Sequence, residues 1–325
     1  MLTFKQHLVE SQELLNEKLL LINNGKKYGQ IVFLAGGAGS GKGFAGENFI
    51  NIQDFKVRDV DEMKKSFISM NKLKHKYPEL DGISLRNPKD VLKLHAFVDS
   101  KEFKSTGKNL IDTSMINLIK GMKNPETLPN IVFDVTLKNI KKINKTLPDL
   151  LDQGYKPENI HIVWVLTDYD IAYKANLERP RVVPYGDDGT PNIILQTHEG
   201  AGRTMWDIVG KGNIPKDVNG GIYVILNNRD QTVVFKSEDG KDYRSAKDNP
   251  DAKVRKTNVK KGDQTSIAIK TGKTDKKGNP VVIIKDFTYL TYKEPGKSPK
   301  TDKDIYKQLS MWVTNNVPKS TFKKA

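Results

Sequence analysis

Between residues 31 and 235 the chain alternates short apolar runs with stretches of helical period. The runs Ile31 to Ala35, Phe55 to Asp61, Asn130 to Asp134, His161 to Thr167 and Ile222 to Leu226 are rich in β-branched residues and read as strands. Helices are predicted from Lys42 to about Asn51, over Glu62–Phe67, from Asn87 to Val98, from Leu110 to Met122 and from Leu137 to Leu151. Asp168 reads as the N-cap of another helix, which runs to Arg179 and is broken by Pro180. Glycines 186, 189 and 200 and Pro191 make 180–202 a loop, expected to act as a lid, before a helix opens at Arg203 and runs to about Val209. Asn227–Gln231 reads as a turn between Ile222–Leu226 and a last strand, Thr232–Phe235. Strand and helix in strict alternation specify an α/β fold with a doubly wound, mostly parallel sheet.

Two flanks complete the pattern. Leu8, Leu15, Leu19 and Ile22 fall at helical spacing, so 1–27 is expected to hold an N-terminal helix that stops at Gly25. After Phe235 the texture turns polar. Thr265 to Lys270 and Val281 to Tyr292 are β-like, and Asp302 to Val313 carries Ile305, Leu309, Trp312 and Val313 on one helical face. The expected division is an α/β domain over 1–238 and a basic α+β addition over 239–325.

Charge sharpens that division. The net charge is +15, with 54 Lys+Arg against 39 Asp+Glu. From Lys236 to Ala325 there are 22 Lys+Arg and 11 Asp+Glu, a balance of +11, which leaves +4 for the other 235 residues. Such asymmetry points to a polyanionic partner such as nucleic acid; a lysine-rich, solvated surface is the alternative. Cysteine is absent and the five histidines are scattered, so neither a disulfide nor a structural zinc is expected. No apolar run approaches the length of a membrane span, and the first residues lack an export pattern, so a cytoplasmic protein is expected.

The richest chemistry follows the first strand. Gly36, Gly37, Ala38, Gly39, Ser40, Gly41 and Lys42 fit the phosphate-loop spacing of a glycine, four residues, then glycine and lysine. Glycines let backbone N–H groups turn around phosphate oxygens, and the following helix aims its positive end at the same place. Lys42 would reach the β- and γ-phosphates of ATP. The hydroxyl residue that usually follows the lysine and holds Mg²⁺ is replaced by Gly43, and Phe44 comes next. Mg²⁺ would then rest on carboxylates and water. Asp59, Asp61 and Asp134 end the second and third strands, on the sheet edge where α/β proteins bind ligands.

In this order the elements resemble the zeta-toxin branch of P-loop kinases over about residues 3 to 236. The resemblance rests on the loop, on Asp59-Val-Asp61-Glu-Met-Lys-Lys, on Phe133-Asp134-Val-Thr136, on Asn176-Leu-Glu-Arg179, on Arg203-Thr-Met-Trp-Asp207 and on Ile225 to Gln231. It implies an ATP-dependent transfer of the γ-phosphoryl group to a hydroxyl. In that scheme Asp61 activates the acceptor, Asp59 assists Mg²⁺, and Asp134 and Thr136 lie near the acceptor or the metal. Arg179 and Arg203 close over the transferring group, with Arg181 an alternative to Arg179. The acceptor would be a nucleotide, a nucleotide sugar or a nucleic-acid hydroxyl. The competing reading is a non-catalytic nucleotide-binding protein whose basic C-terminal region docks on nucleic acid or a protein.

Overall fold

The computed structural model describes residues 28–50, 52–59, 61, 64–69, 77–98, 119, 124, 127–187, 189–236, 242–243, 263–274, 280–300, 307 and 309–310. The expected N-terminal helix, most of the helix at 110–122, and Trp312 lie outside these residues.

The sheet is built on β1 (Ile31–Ala35), β2 (Lys56–Arg58), β3 (Ile131–Asp134), β4 (Ile160–Leu166) and β5 (Ile222–Lys236), in the spatial order β2-β3-β1-β4-β5 with all these pairs parallel. Beyond β5 the sheet continues with antiparallel β8 (Pro280–Lys293) and β7 (Asp263–Thr274), and β6 (Asp242–Tyr243) pairs with β5 off this path. The fold is therefore the expected α/β class, a mostly parallel sheet extended by C-terminal strands.

Strand alternation sends the two faces into separate cores. Ile31, Phe33, Phe133, Ile162, Trp164 and Val224 pack with Ile143, Leu147 and Leu150 of α3 (Lys141–Asp152) and Met205 of α5 (Ile193–Met205). Val32, Leu34, Val132, Val163, Val165 and Tyr223 pack with Ala45 and Phe49 of α1 (Lys42–Phe49). Leu290 and Tyr292 of β8, and Leu309, belong to the first of these cores. A third, smaller cluster joins Phe67, Ile68 and Leu80 to Leu94 of α2 (Pro88–Val98). No helix among the described residues is long and apolar enough to cross a membrane.

Two sequence expectations need correction. The segment read as loop through Gly202, with a helix opening at Arg203, is α5 from Ile193 onward, followed by a π-helical turn, Trp206–Gly210. Asn192 caps it, its side chain accepting the Leu195 N–H at 2.9 Å. Gly200 is a packing glycine rather than a breaker: a Cβ there would collide with the Lys138 side chain. The strand–turn–strand reading of 222–235 also fails. Both halves form one strand paired along β8, and Asn227–Thr232 holds a register shift instead of a reversal. Turn-forming residues are accommodated there as a bulge. The other boundaries move by a few residues. Asp168 does cap α4 (Tyr169–Leu177), accepting from the Asp170 N–H at 2.9 Å.

The amino edge of the sheet buries a polar cluster. His161 accepts the Gly221 N–H at Nδ1 (2.8 Å), so Nε2 bears the proton toward Gln30 Oε1 (2.8 Å). Burial and then the Lys293 charge push its pKa down to about 3, consistent with a neutral ring. Lys293, only 4% exposed, donates to Asn219 O and Oδ1 at 2.9 Å and to Gly220 O at 3.1 Å. Burial lowers its pKa.

Candidate functional site

The connection leaving β1 passes to one side of the sheet, to β2, whereas that leaving β3 passes to the other, to β4. A crevice opens at the carboxyl ends of strands where the winding reverses in this way. Here it is a cleft of about 900 Å³, lined by Ala38, Gly39, Lys42, Gly43 and Phe44 on one side and by Asp59, Asp61, Asp134, Thr136, Arg179 and Arg181 on others. Val91, Leu92 and His95 of α2 form its far wall.

The glycine loop has the backbone its sequence implies. Gly36, Gly39 and Gly41 hold φ of 146°, 80° and 94°, a region costly for residues with a Cβ. Gly41 is the N-cap of α1. A side chain on Gly43 would meet nothing within 4 Å, so packing does not demand glycine where the Mg²⁺-binding hydroxyl usually stands. Lys42 curls back over the loop, donating to Gly36 O at 3.0 Å and Gly37 O at 3.3 Å, with Asp134 Oδ1 at 3.7 Å.

The acidic strand ends converge on the same space. Asp59 Oδ1 accepts the Asp61 N–H at 2.7 Å and so fixes the turn after β2. Asp61 pairs with Arg181 Nη2, and its other oxygen lies 3.5 Å from Lys64 Nζ. Burial opposes its ionisation, but the Arg181 and Lys64 charges outweigh that and hold its pKa below 3.8. Asp134 shifts the opposite way: burial raises its pKa, Asp59 and Asp61 add to the rise, and Lys42 and Arg179 only partly offset it. Burial and then Arg181 lower the pKa of Arg179, against the pull of Asp61, Asp134 and Asp59. Two neighbouring carboxylates thus sit in environments that push their proton affinities apart, a pattern common where acid–base work is done.

Of the residues marked in the sequence, Lys42, Asp59, Asp61, Asp134, Thr136 and Arg179 come together around the cleft. Arg203 does not. It is exposed in the last turn of α5, and the arginines that join Arg179 in lining the cleft are Arg181 and Arg58. Four contributors went unread. Lys64 was hidden in a lysine pair. Thr197 and His198 lay in the segment taken for loop, and Asn227 in the supposed turn. Thr197 Oγ1 accepts the Ala38 N–H at 3.2 Å, His198 Nε2 lies 2.8 Å from Ala38 O, and Asn227 Nδ2 donates to Ser40 O at 2.7 Å. The signal for Thr197 and His198 was the helical period of Ile194, Thr197 and Ala201, masked by glycines.

A mostly parallel α/β sheet carrying a phosphate-loop sequence at the end of its first strand is the class that fold and site define. No protein-family profile matches the chain, and no curated protein does. Solved structures do resemble it. A chain of the PezAT chromosomal toxin–antitoxin system of Streptococcus pneumoniae aligns over 74% of this chain and 82% of its own, with 16% identity and a TM-score of 0.37. A chain of AvrRxo1-ORF1:-ORF2 solved with ATP aligns over 74% and 65%, with 13% identity and a TM-score of 0.36. The same complex with sulphate ions gives 74% and 66%, 14% and 0.36.

Proposed function

We propose that this chain is an ATP-dependent kinase that moves the γ-phosphoryl group onto a hydroxyl of a small nucleotide-like or nucleic-acid acceptor. The observation that carries the reading is the convergence of Lys42, Asp61, Asp134, Arg179 and Arg181 on one cleft beside a loop with three glycines at positive φ. Phosphoryl transfer asks a protein mainly for position and countercharge, and the cleft offers both. Lys42 takes the β- and γ-phosphates, releasing the carbonyls it now holds. Asp61 accepts the acceptor proton once the acceptor displaces Arg181. Asp134 and Thr136 orient the acceptor, and Arg179 with Arg181 neutralises the transferring group.

Among the described residues no cluster of three or more His, Cys, Asp or Glu could hold a metal ion. Mg²⁺ needs less than that. It binds through one or two carboxylates, water and the nucleotide's own phosphates, so Asp59 and Asp134 fit it without a hydroxyl at Gly43. Its chemistry there would be charge neutralisation at the phosphates.

The ion pairing of Asp61 and the bare Gly43 favour a second reading, a nucleotide-binding protein without transferase activity. Incubation with γ-labelled ATP and a panel of nucleotides, nucleotide sugars and oligonucleotides separates the two. Label on any acceptor, lost in Lys42→Ala, supports the kinase; ATP binding with no transfer to any acceptor supports the second reading. The +11 balance of residues 236–325 supports a polyanionic partner in either case. Nucleic-acid retention that falls steeply between about 50 and 200 mM salt is the expected outcome. Absence of retention at the low end refutes it.

A further inference from the structure

Four carbonyl groups of the phosphate loop are held by side chains. Gly36 O and Gly37 O accept from Lys42, Ala38 O from His198, and Ser40 O from Asn227. Two of these tethers come from outside the loop, from separate elements. His198 stands on α5, its ring edge-on to Tyr169 with centroids 6.0 Å apart. Asn227 stands on β5 at the register shift, and its own carbonyl accepts the Thr167 hydroxyl at 2.9 Å. Because Ala38 O is a carbonyl, His198 Nε2 is the donor and carries the ring proton.

The sequence bears the mark of the His198 contact. Gly37 lies outside the positive-φ set, yet a Cβ there would run into the His198 ring. Gly37 is therefore small because the histidine lies against it, a different reason from that of Gly36, Gly39 and Gly41.

No peptide bond among the described residues is cis. In a trans peptide the C=O and the following N–H point in opposite directions. A carbonyl fixed toward His198 aims the Gly39 N–H away from that side, and a carbonyl fixed toward Asn227 does the same for the Gly41 N–H. Anion cradles are made of such successive, co-directed N–H groups. We propose that His198 and Asn227 are positioning residues that orient the peptides 38–39 and 40–41 so that their N–H groups face a bound phosphate. The proposal rests on reading the loop as a phosphate site.

The test uses the full-length chain with His198→Leu, which removes the donor at similar bulk, and His198→Gln, whose side-chain amide keeps an N–H at similar reach. Two quantities are read: amide exchange of the loop peptide 36–41 in the free protein, and ATP affinity by titration calorimetry. His198→Leu should speed loop exchange and weaken ATP by about tenfold, the upper range for one hydrogen bond, while His198→Gln stays near the unaltered protein. Asn227→Ala provides the same readings from the other tether should His198→Leu fail to fold. Unchanged exchange in His198→Leu and Asn227→Ala overturns the proposal. So does equal impairment in the Leu and Gln variants, which would make the ring mere packing. If the unaltered protein binds no ATP, the kinase reading falls, and loop exchange in the free protein still decides whether the tethers hold.

Discussion

The two edges of the sheet bury charge in opposite ways. At the amino edge Lys293 is sealed among carbonyl oxygens of the 219–220 turn, and His161 has both ring nitrogens engaged. At the carboxyl edge Lys42, Asp134, Asp61 and the two arginines are engaged with one another around a cleft of about 900 Å³. A buried cation saturated by neutral acceptors is a structural strut. Charged groups of both signs set around open space, with pKa values displaced up and down, leave interaction energy for an incoming ligand. The difference separates the candidate functional edge from a structural one without reference to any relative.

Four experiments break or sharpen this contrast. The largest effect is expected from ending the chain at residue 238. That cut removes β8, with Leu290, Tyr292 and Lys293, from the flank of β5 and bares apolar core. Loss of cooperative unfolding by calorimetry is the expected result, and a soluble, cooperatively folding 1–238 fragment would show the strut to be dispensable. Next, Asp61→Asn should lower transfer by about 10²–10⁴-fold while ATP affinity holds, as befits a group acting on the acceptor. Full activity in this variant alongside an inactive Asp59→Asn would move the role to Asp59.

Third, Lys293→Met should cost about 1–3 kcal/mol in denaturant melts, because it strands the carbonyls of the 219–220 turn, and should leave turnover per folded molecule intact. A fall in turnover without loss of stability would erase the distinction between the edges. The smallest effect is expected from Asp134→Asn. Its folded-state pKa lies above the ordinary 3.8, so its ionised form costs stability at neutral pH, and the cost fades as pH falls toward and below 3.8. The Asn variant should therefore melt somewhat higher than the unaltered protein at pH 7 and no higher at pH 3.5. A variant that melts lower at pH 7 would show Asp134 to be a net stabiliser, contrary to its placement in the site.

Much of this was readable in the chain, for physical reasons. The strands β1, β3 and β4 are continuous apolar runs because both of their faces are covered, and the glycine loop declares itself because its φ values exclude other residues. The carboxylates at 59, 61 and 134 were placed correctly because strand ends are set by those runs. What escaped reading depends on long-range packing. Gly200 and Gly202 look like helix breakers until Lys138 is seen lying against Gly200. Asn227 to Gln231 look like a turn until β8, more than fifty residues later, supplies the partner that straightens them. Which arginines reach the cleft also depends on tertiary packing: Arg58, Arg179 and Arg181 line it, whereas Arg203, in the last turn of α5, is exposed.

The curled posture of Lys42 has a kinetic corollary. The ammonium group meets an arriving triphosphate already bonded to two glycine carbonyls, with Asp134 close by. Capture of the nucleotide is then an exchange of partners, and the release of the lysine is a unimolecular event that follows first contact. Such side-chain release is far faster than mixing, so in stopped-flow the observed rate should rise in proportion to ATP concentration, and a rate that levels off would point to a slower rearrangement of the loop backbone itself.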